Sequence, residues 1–314
     1  GHGVYALLCD PQGGIETDMY VYNADERLLV FLPPERADPV REDWASKVFI
    51  QDVAVEDVSD ELGVFGVHGP KSTEKIASVL AGPGAPEPPL TFVRGTMVDA
   101  GVTVIATDAP LGEEGYEVVC AAADAPAVFD TLVNRGLNAA PFGYRTWDAL
   151  ALEAGTPQFE HELAETIPNV VGIRNALDFE KGCYVGQEVV SRVENQGRPS
   201  RRLVGLTLSG LADAVAAIDG DADPDAVDEV LPAAGAAVFD GDEAIGEVTR
   251  AGVGPATDVP LALALVDATA DSPADAVAVR VDGDETDARI TSLPFVEGSA
   301  RSARLPAYPD ATES

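Results

Sequence analysis

The stretch DFEKGCYVGQEVVSRVENQGRPSRR, Asp178 to Arg202, reverses the sign of an otherwise acidic chain. It gathers Lys181, Arg192, Arg198, Arg201 and Arg202 around Cys183, in a sequence that has only four lysines. Gly182 and Gly186 open backbone geometries closed to other residues, and Val189, Val190 and Val193 follow at helical spacing. Cys183 is therefore expected in a glycine-flanked loop just ahead of a helix. A thiol near a helix N-terminus and several cations tends toward the thiolate, the form that acts as nucleophile or metal ligand. A buried structural cysteine in a tight turn is the plainer alternative.

Read with the basic segment and the strand-like RRLVGLTL after it, KGCYVGQE resembles the signature of YgfZ-type folate-binding proteins. These are relatives of the glycine cleavage T-protein (aminomethyltransferase) that assist iron-sulfur cluster maturation. The T-protein usually has an acidic residue and a phenylalanine where this chain has Cys183 and Tyr184, so the cysteine separates the two branches. Further segments extend the resemblance from Tyr5 to Phe295. GGIETDMYVYN, Gly13 to Asn23, resembles the T-protein segment that contains its catalytic aspartate; Asp18 falls on the second acidic position and Thr17 replaces the first. LEAG, around Glu153, resembles the segment whose glutamate holds the pterin ring of folate. LGEEGYE, Leu111 to Glu117, and the order IGEVTRAG, ALALV, LPF resemble its middle and C-terminal parts.

The resemblance implies an α+β fold: a cloverleaf of three lobes around a central folate channel. The lobes are a Greek-key-like antiparallel lobe, a ferredoxin-like lobe and a C-terminal β-barrel. Residues 1–202 would form the folate-binding domain, as two interleaved lobes of roughly 1–60 with 137–202, and 61–136. Residues 203–314 would form the barrel, with an acidic insertion at 211–230. It also implies a helix and a strand ahead of Tyr5, so that the sequence, which lacks an initiator Met, would be a fragment.

Composition sets independent bounds. With 54 acidic against 20 basic residues and a net charge of −34, the surface must be rich in carboxylates, while 46% hydrophobic content argues against a mainly disordered chain. Such self-repulsion is tolerable where salt screens it, the Debye length being about 3 Å at molar salt. This points to the cytoplasm of a salt-accumulating halophile, and away from nucleic acid and anionic membranes as partners. Cys9, Cys120 and Cys183 form no CxxC pair, and His2, His68 and His161 lack ligand spacing, so no metal site is expected.

Along the chain, VYALLCD, IETDMYVYN and LLVFLPP read as three strands joined by turns, and PERADPVREDWASKVF as a helix followed by a strand in VAVEDVS. A helix begins near Pro70, and another, APAVFDTLVNRG, stops at Gly136. In RTWDALALEAG, Thr146 is a plausible N-cap and Glu153 lies near the helix end. From Leu203 short strands alternate with Gly, Asp and Pro turns, the pattern of a small barrel or sandwich. The tail after Leu305 is expected to be disordered.

The residues expected to carry function follow. Cys183 is the reactive thiol. Asp18 would stabilise positive charge on an iminium-like centre, the alternative being a polar residue on an exposed strand face. Glu153 can accept two parallel hydrogen bonds from a pterin, the alternative being an exposed helix-end glutamate. Tyr184, Arg174, Arg192 and Arg198 would complete a site for tetrahydrofolate, the arginines facing its glutamate tail or lining the channel mouth. The leading expectation is a tetrahydrofolate-binding protein serving iron-sulfur client proteins. The alternative is an aminomethyltransferase of glycine cleavage acting on a lipoyl carrier protein, or a related folate-dependent one-carbon transferase.

Overall fold

Residues 1–50, 52–195, 199–218, 225–269, 276–281 and 283–309 are described by the structure, a computed structural model. Arg198 and residues 219–224 of the acidic segment 211–230 lie outside them. The chain divides into two units. The first holds 1–8, 17–109 and 113–141, and the second holds 9–16, 110–112 and 142–314.

In the first unit, β1 (His2–Cys9), β2 (Ile15–Asn23) and β3 (Leu28–Phe31) are neighbours in that order, a meander. Helix α1 (Pro34–Ser46) starts with proline in its first turn, where the missing N–H costs nothing. VAVEDVS does not form the expected strand; the chain is irregular there until a single 3-10 turn at Ser59–Glu61. Then follow β4 (Leu62–His68), α2 (Ser72–Val79), β5 (Phe92–Met97), β6 (Ala100–Ala106), β7 (Gly115–Ala121) and α3 (Ala125–Asn134). The four strands make an antiparallel sheet in the order β4-β7-β6-β5. Two helices lie against one sheet, as in a ferredoxin-like lobe, but the second helix follows the last strand instead of preceding it. Ile76, Met97, Val104, Val118, Val128 and Leu132 fill the space between helices and sheet. On another side Tyr22 packs with Phe92, Ile105 and Val119. That shared core is why the N-terminal strands group with 61–136 rather than with 137–202.

The second unit begins with α4 (Tyr144–Glu153), whose N-cap is Gly143 without a side-chain bond; Thr146 sits inside the helix and is not the cap. A π turn at Phe159–Leu163, α5 (Pro168–Val171) and α6 (Gln187–Asn195) lead to β8 (Arg201–Thr207). Helices α7 (Ala212–Ala216) and α8 (Asp225–Asp228) flank the undescribed part of the acidic segment. Strands β9 (Ala237–Asp240), β10 (Glu243–Val253), β11 (Pro260–Asp267), β12 (Ala276–Val281) and β13 (Asp284–Thr291) join β8 in a closed barrel ordered β10-β11-β8-β13-β12-β9. Leu206, Val238, Val248, Ala264, Val279 and Ile290 fill it, and closure leaves no strand edge exposed to another chain.

Disorder was expected after Leu305, but residues 306–309 are held in place; the rest of that tail, 310–314, lies outside the described residues. Tyr308 Oη donates to the Val170 carbonyl at 2.8 Å and accepts from the Leu203 amide at 2.8 Å, and the Arg202 guanidinium lies 4.8 Å from its ring. Three contacts on one aromatic side chain offset the entropy of fixing a polar tail.

Candidate functional site

The expected site residues fall in both units. In the first, Asp18 lies on β2 and is buried, at 8% exposure, so it is not a polar residue on an open strand face. Its Oδ2 accepts a hydrogen bond from Tyr5 Oη on β1 at 3.0 Å. Thr17, on the other acidic position of the resemblance, is fully buried and donates to the Asp18 carbonyl. The Tyr5 ring tilts against Tyr20 at 5.1 Å, and Tyr20 Oη donates to the buried Asp108 at 2.7 Å. Two buried carboxylates are thus each met by a tyrosine hydroxyl, and the two tyrosines touch. The sequence reading missed Tyr5, Tyr20 and Asp108. Nothing local in the sequence pairs Tyr5 with Asp18 or Tyr20 with Asp108; only the fold brings each hydroxyl to its carboxylate.

In the second unit, Cys183 is exposed in the loop that leads into α6, where the glycine and valine pattern put it. Gly186 has φ +83°, and a Cβ there would come within 2.6 Å of the Asp10 carbonyl oxygen, so the loop closes on the 10–13 turn only with glycine. The Tyr184 amide donates to Gln187 Oε1 at 3.4 Å, a loose hydrogen bond to the first turn of α6. Lys181 sits over the Tyr184 ring at 4.7 Å. Burial, more than Asp10 and Glu16, pushes the Cys9 thiol up to about 11 against the opposing pull of Lys181. Burial, followed by Cys9, also holds the Tyr184 hydroxyl above its usual value.

Several described cations expected around Cys183 are engaged elsewhere, and Arg198 lies outside the described residues. Arg174 Nη1 donates to both oxygens of Glu194 at 2.6 and 2.8 Å. Arg192 pairs with Glu188 one helical turn away, Arg201 with Glu247, and Arg202 stacks on Tyr308. Each described cation of the segment meets a carboxylate or a ring, so these side chains act as local clamps.

Glu153 is 4% exposed and so is not a solvated helix-end residue. Its Oε1 accepts from the Ala256 amide at 2.9 Å, the Thr257 amide at 3.0 Å and the Thr257 hydroxyl at 3.1 Å. Among the described residues Oε2 has only the Ala256 amide, at 3.3 Å. The carboxylate ties the end of α4 to the turn between β10 and β11. Beside it, Glu162 and Arg250 form a buried ion pair at 3.4 Å, with side chains 0% and 6% exposed.

These groups bear on whether a reduced folate fits. Glu153 Oε2 can take one N–H donor of a pterin as it stands. The two-oxygen capture expected from the sequence is not available while Oε1 is engaged by three donors. Among the described residues no three His, Cys, Asp or Glu side chains are grouped to hold a metal ion, and no helix is long and apolar enough to cross a membrane.

Comparison with known proteins adds to this geometry. Residues 1–181 match the family model described as the GCVT N-terminal domain, and residues 221–297 match the glycine cleavage T-protein C-terminal barrel domain. An aminomethyltransferase of Streptomyces avermitilis is 31% identical over 304 residues, spanning 94% of this chain and 76% of that protein. One from Halalkalibacterium halodurans is 28% identical, over 94% and 76%. Among solved structures, the glycine cleavage system aminomethyltransferase T of Bartonella henselae superposes with a TM-score of 0.75 at 22% identity. The match covers 99% of this chain and 78% of that one, and shows a shared fold.

Proposed function

Because the chain belongs to the glycine cleavage T-protein family, we propose that it passes a one-carbon unit to tetrahydrofolate, as the aminomethyltransferases of that family do. The donor on this reading is an aminomethylated lipoyl carrier, and the products are ammonia, methylene-tetrahydrofolate and the reduced lipoyl group. The observation that carries the reading is the buried Asp18 held by Tyr5. A carboxylate removed from water and fixed by a hydroxyl exerts its full field on positive charge that develops as the aminomethyl group leaves sulfur. Glu153 Oε2 takes one pterin N–H, and Tyr184 flanks the folate. Arg174 and Arg192 are the described cations offered to its glutamate tail, each shared with its own carboxylate partner.

One observation favours a second reading, the YgfZ-type role in iron-sulfur cluster assembly or repair: Cys183 is exposed in the KGCYVGQE loop. On either reading the carboxylate-rich surface suits a salt-rich cytoplasm. Purified protein in high salt, given tetrahydrofolate and aminomethylated lipoyl carrier, should release ammonia and methylene-tetrahydrofolate, and require both substrates. Absence of product would overturn the first reading. The second would then stand or fall on whether Cys183→Ala fails to restore iron-sulfur enzyme activities in cells lacking the gene.

A further inference from the structure

We infer that Glu153 is a latch: a positioning residue that fixes the turn 254–258, so that capture of a ligand by both of its oxygens must loosen that turn. The second half of this inference rests on the folate reading above.

A carboxylate offers about four lone-pair sites, roughly two on each oxygen. Oε1 already receives two backbone amides and a hydroxyl, all from Ala256 and Thr257, while Oε2 shares one amide at 3.3 Å. A ligand that presents two parallel N–H groups needs a site on each oxygen. Oε1 has none to spare, so Ala256 or Thr257 must let go.

The turn, rather than the helix end, is the side that gives. The end of α4 is held by further bonds: the Phe295 amide donates to the Glu153 carbonyl at 3.0 Å, and Arg250 Nη2 donates to the Thr156 carbonyl at 3.0 Å. Gly155, at φ +67°, lies so close to Leu293 and Leu305 that a Cβ would meet both at 3.0 Å. Across from it, Pro255, Ala256 and Asp258 are exposed, and Asp258 sits at φ +56°. Apart from Glu153, the bonds closing the turn are Gly254 N–H to Val259 at 3.0 Å and Asp258 N–H to Gly254 at 2.8 Å. Gly254 itself is buried, and a Cβ there would fall 2.6 Å from Glu153 Oε1, so the close approach of turn and carboxylate is built into the sequence.

Amide hydrogen exchange in high salt reads the latch directly. Saturating tetrahydrofolate should speed exchange at Ala256 or Thr257, or both, by about tenfold or more, as expected for losing a bond to a charged acceptor, while the strands of the barrel stay protected. Without ligand, Glu153→Ala should speed both amides by a similar factor. Glu153→Gln, which keeps one carbonyl acceptor, should do so less, and it serves as the measure if the alanine variant does not fold. If calorimetry shows folate binding and both amides are unchanged or slowed, the coupling is wrong. Unchanged exchange in the folded variants would remove the latch itself. If wild type binds no folate, the functional reading fails along with the coupling, and the ligand-free variants still decide the latch.

Discussion

Replacing Arg250 by methionine tests a deeply buried charge pair. Glu162 is fully buried, its Oε1 accepting from Thr249 Oγ1 at 3.0 Å and its Oε2 from the Gln158 amide at 2.9 Å. Arg250 supplies the compensating charge at 3.4 Å and reaches the Thr156 carbonyl at 3.0 Å. Arg250→Met keeps most of the volume but leaves a carboxylate without its cation, which costs about 3 to 5 kcal/mol. Glu162→Gln keeps acceptor and shape and leaves Arg250 with its carbonyls, so the cost should be nearer 1 to 3 kcal/mol, roughly that of one charged hydrogen bond. The double replacement Glu162→Gln, Arg250→Met removes both charges and should cost less than the sum of the two. Urea unfolding at fixed high salt, analysed as a double-mutant cycle, gives all three values. Arg250→Met costing under about 1 kcal/mol, or strict additivity in the cycle, would refute the reasoning, because buried uncompensated charge cannot be that cheap.

Two further outcomes are expected. Lowering salt from molar to about 0.1 M lengthens the Debye length from about 3 to about 10 Å, so a chain of net charge −34 should melt at a lower temperature; a flat melting temperature would contradict the salt-adapted reading. His68 is kept neutral by burial, with its pKa lowered to about 4. The unfolded chain takes up that proton from about pH 6.5 downward, so stability is whole above 6.5 and falls by about 3 kcal/mol as pH drops toward 4. His68→Gln should lose less over that window in urea titrations, and equal losses would count against it.

How much of this was legible in the sequence depended on how local the cause was. The Cys183 loop and the start of α6 followed from Gly182, Gly186 and the valine spacing, all within a few residues. The barrel followed from short strands and turn residues. Arg192 with Glu188 is a local i,i+4 pair, but the fate of Arg174, Arg201 and Arg202 was not legible, because their partners Glu194, Glu247 and Tyr308 sit on elements whose proximity only folding creates. Glu153 was legible as a functional residue by resemblance but not as a latch, since its partners are backbone amides about a hundred residues away. The tail failed for the same reason: Tyr308 binds Val170 and Leu203, and nothing near it in sequence announces that. VAVEDVS alternates like a strand, yet alternation forms a strand only beside a partner.

The most direct test of the central claim is the initial rate of methylene-tetrahydrofolate formation by Asp18→Asn against wild type, with saturating tetrahydrofolate and aminomethylated lipoyl carrier in high salt. Asparagine preserves size and can still accept from Tyr5, so the variant removes charge and little else. The account predicts a rate lower by roughly 10²-fold or more, the usual cost of removing one preorganised electrostatic group from a transition state. Turnover by Asp18→Asn at the wild-type rate would contradict it.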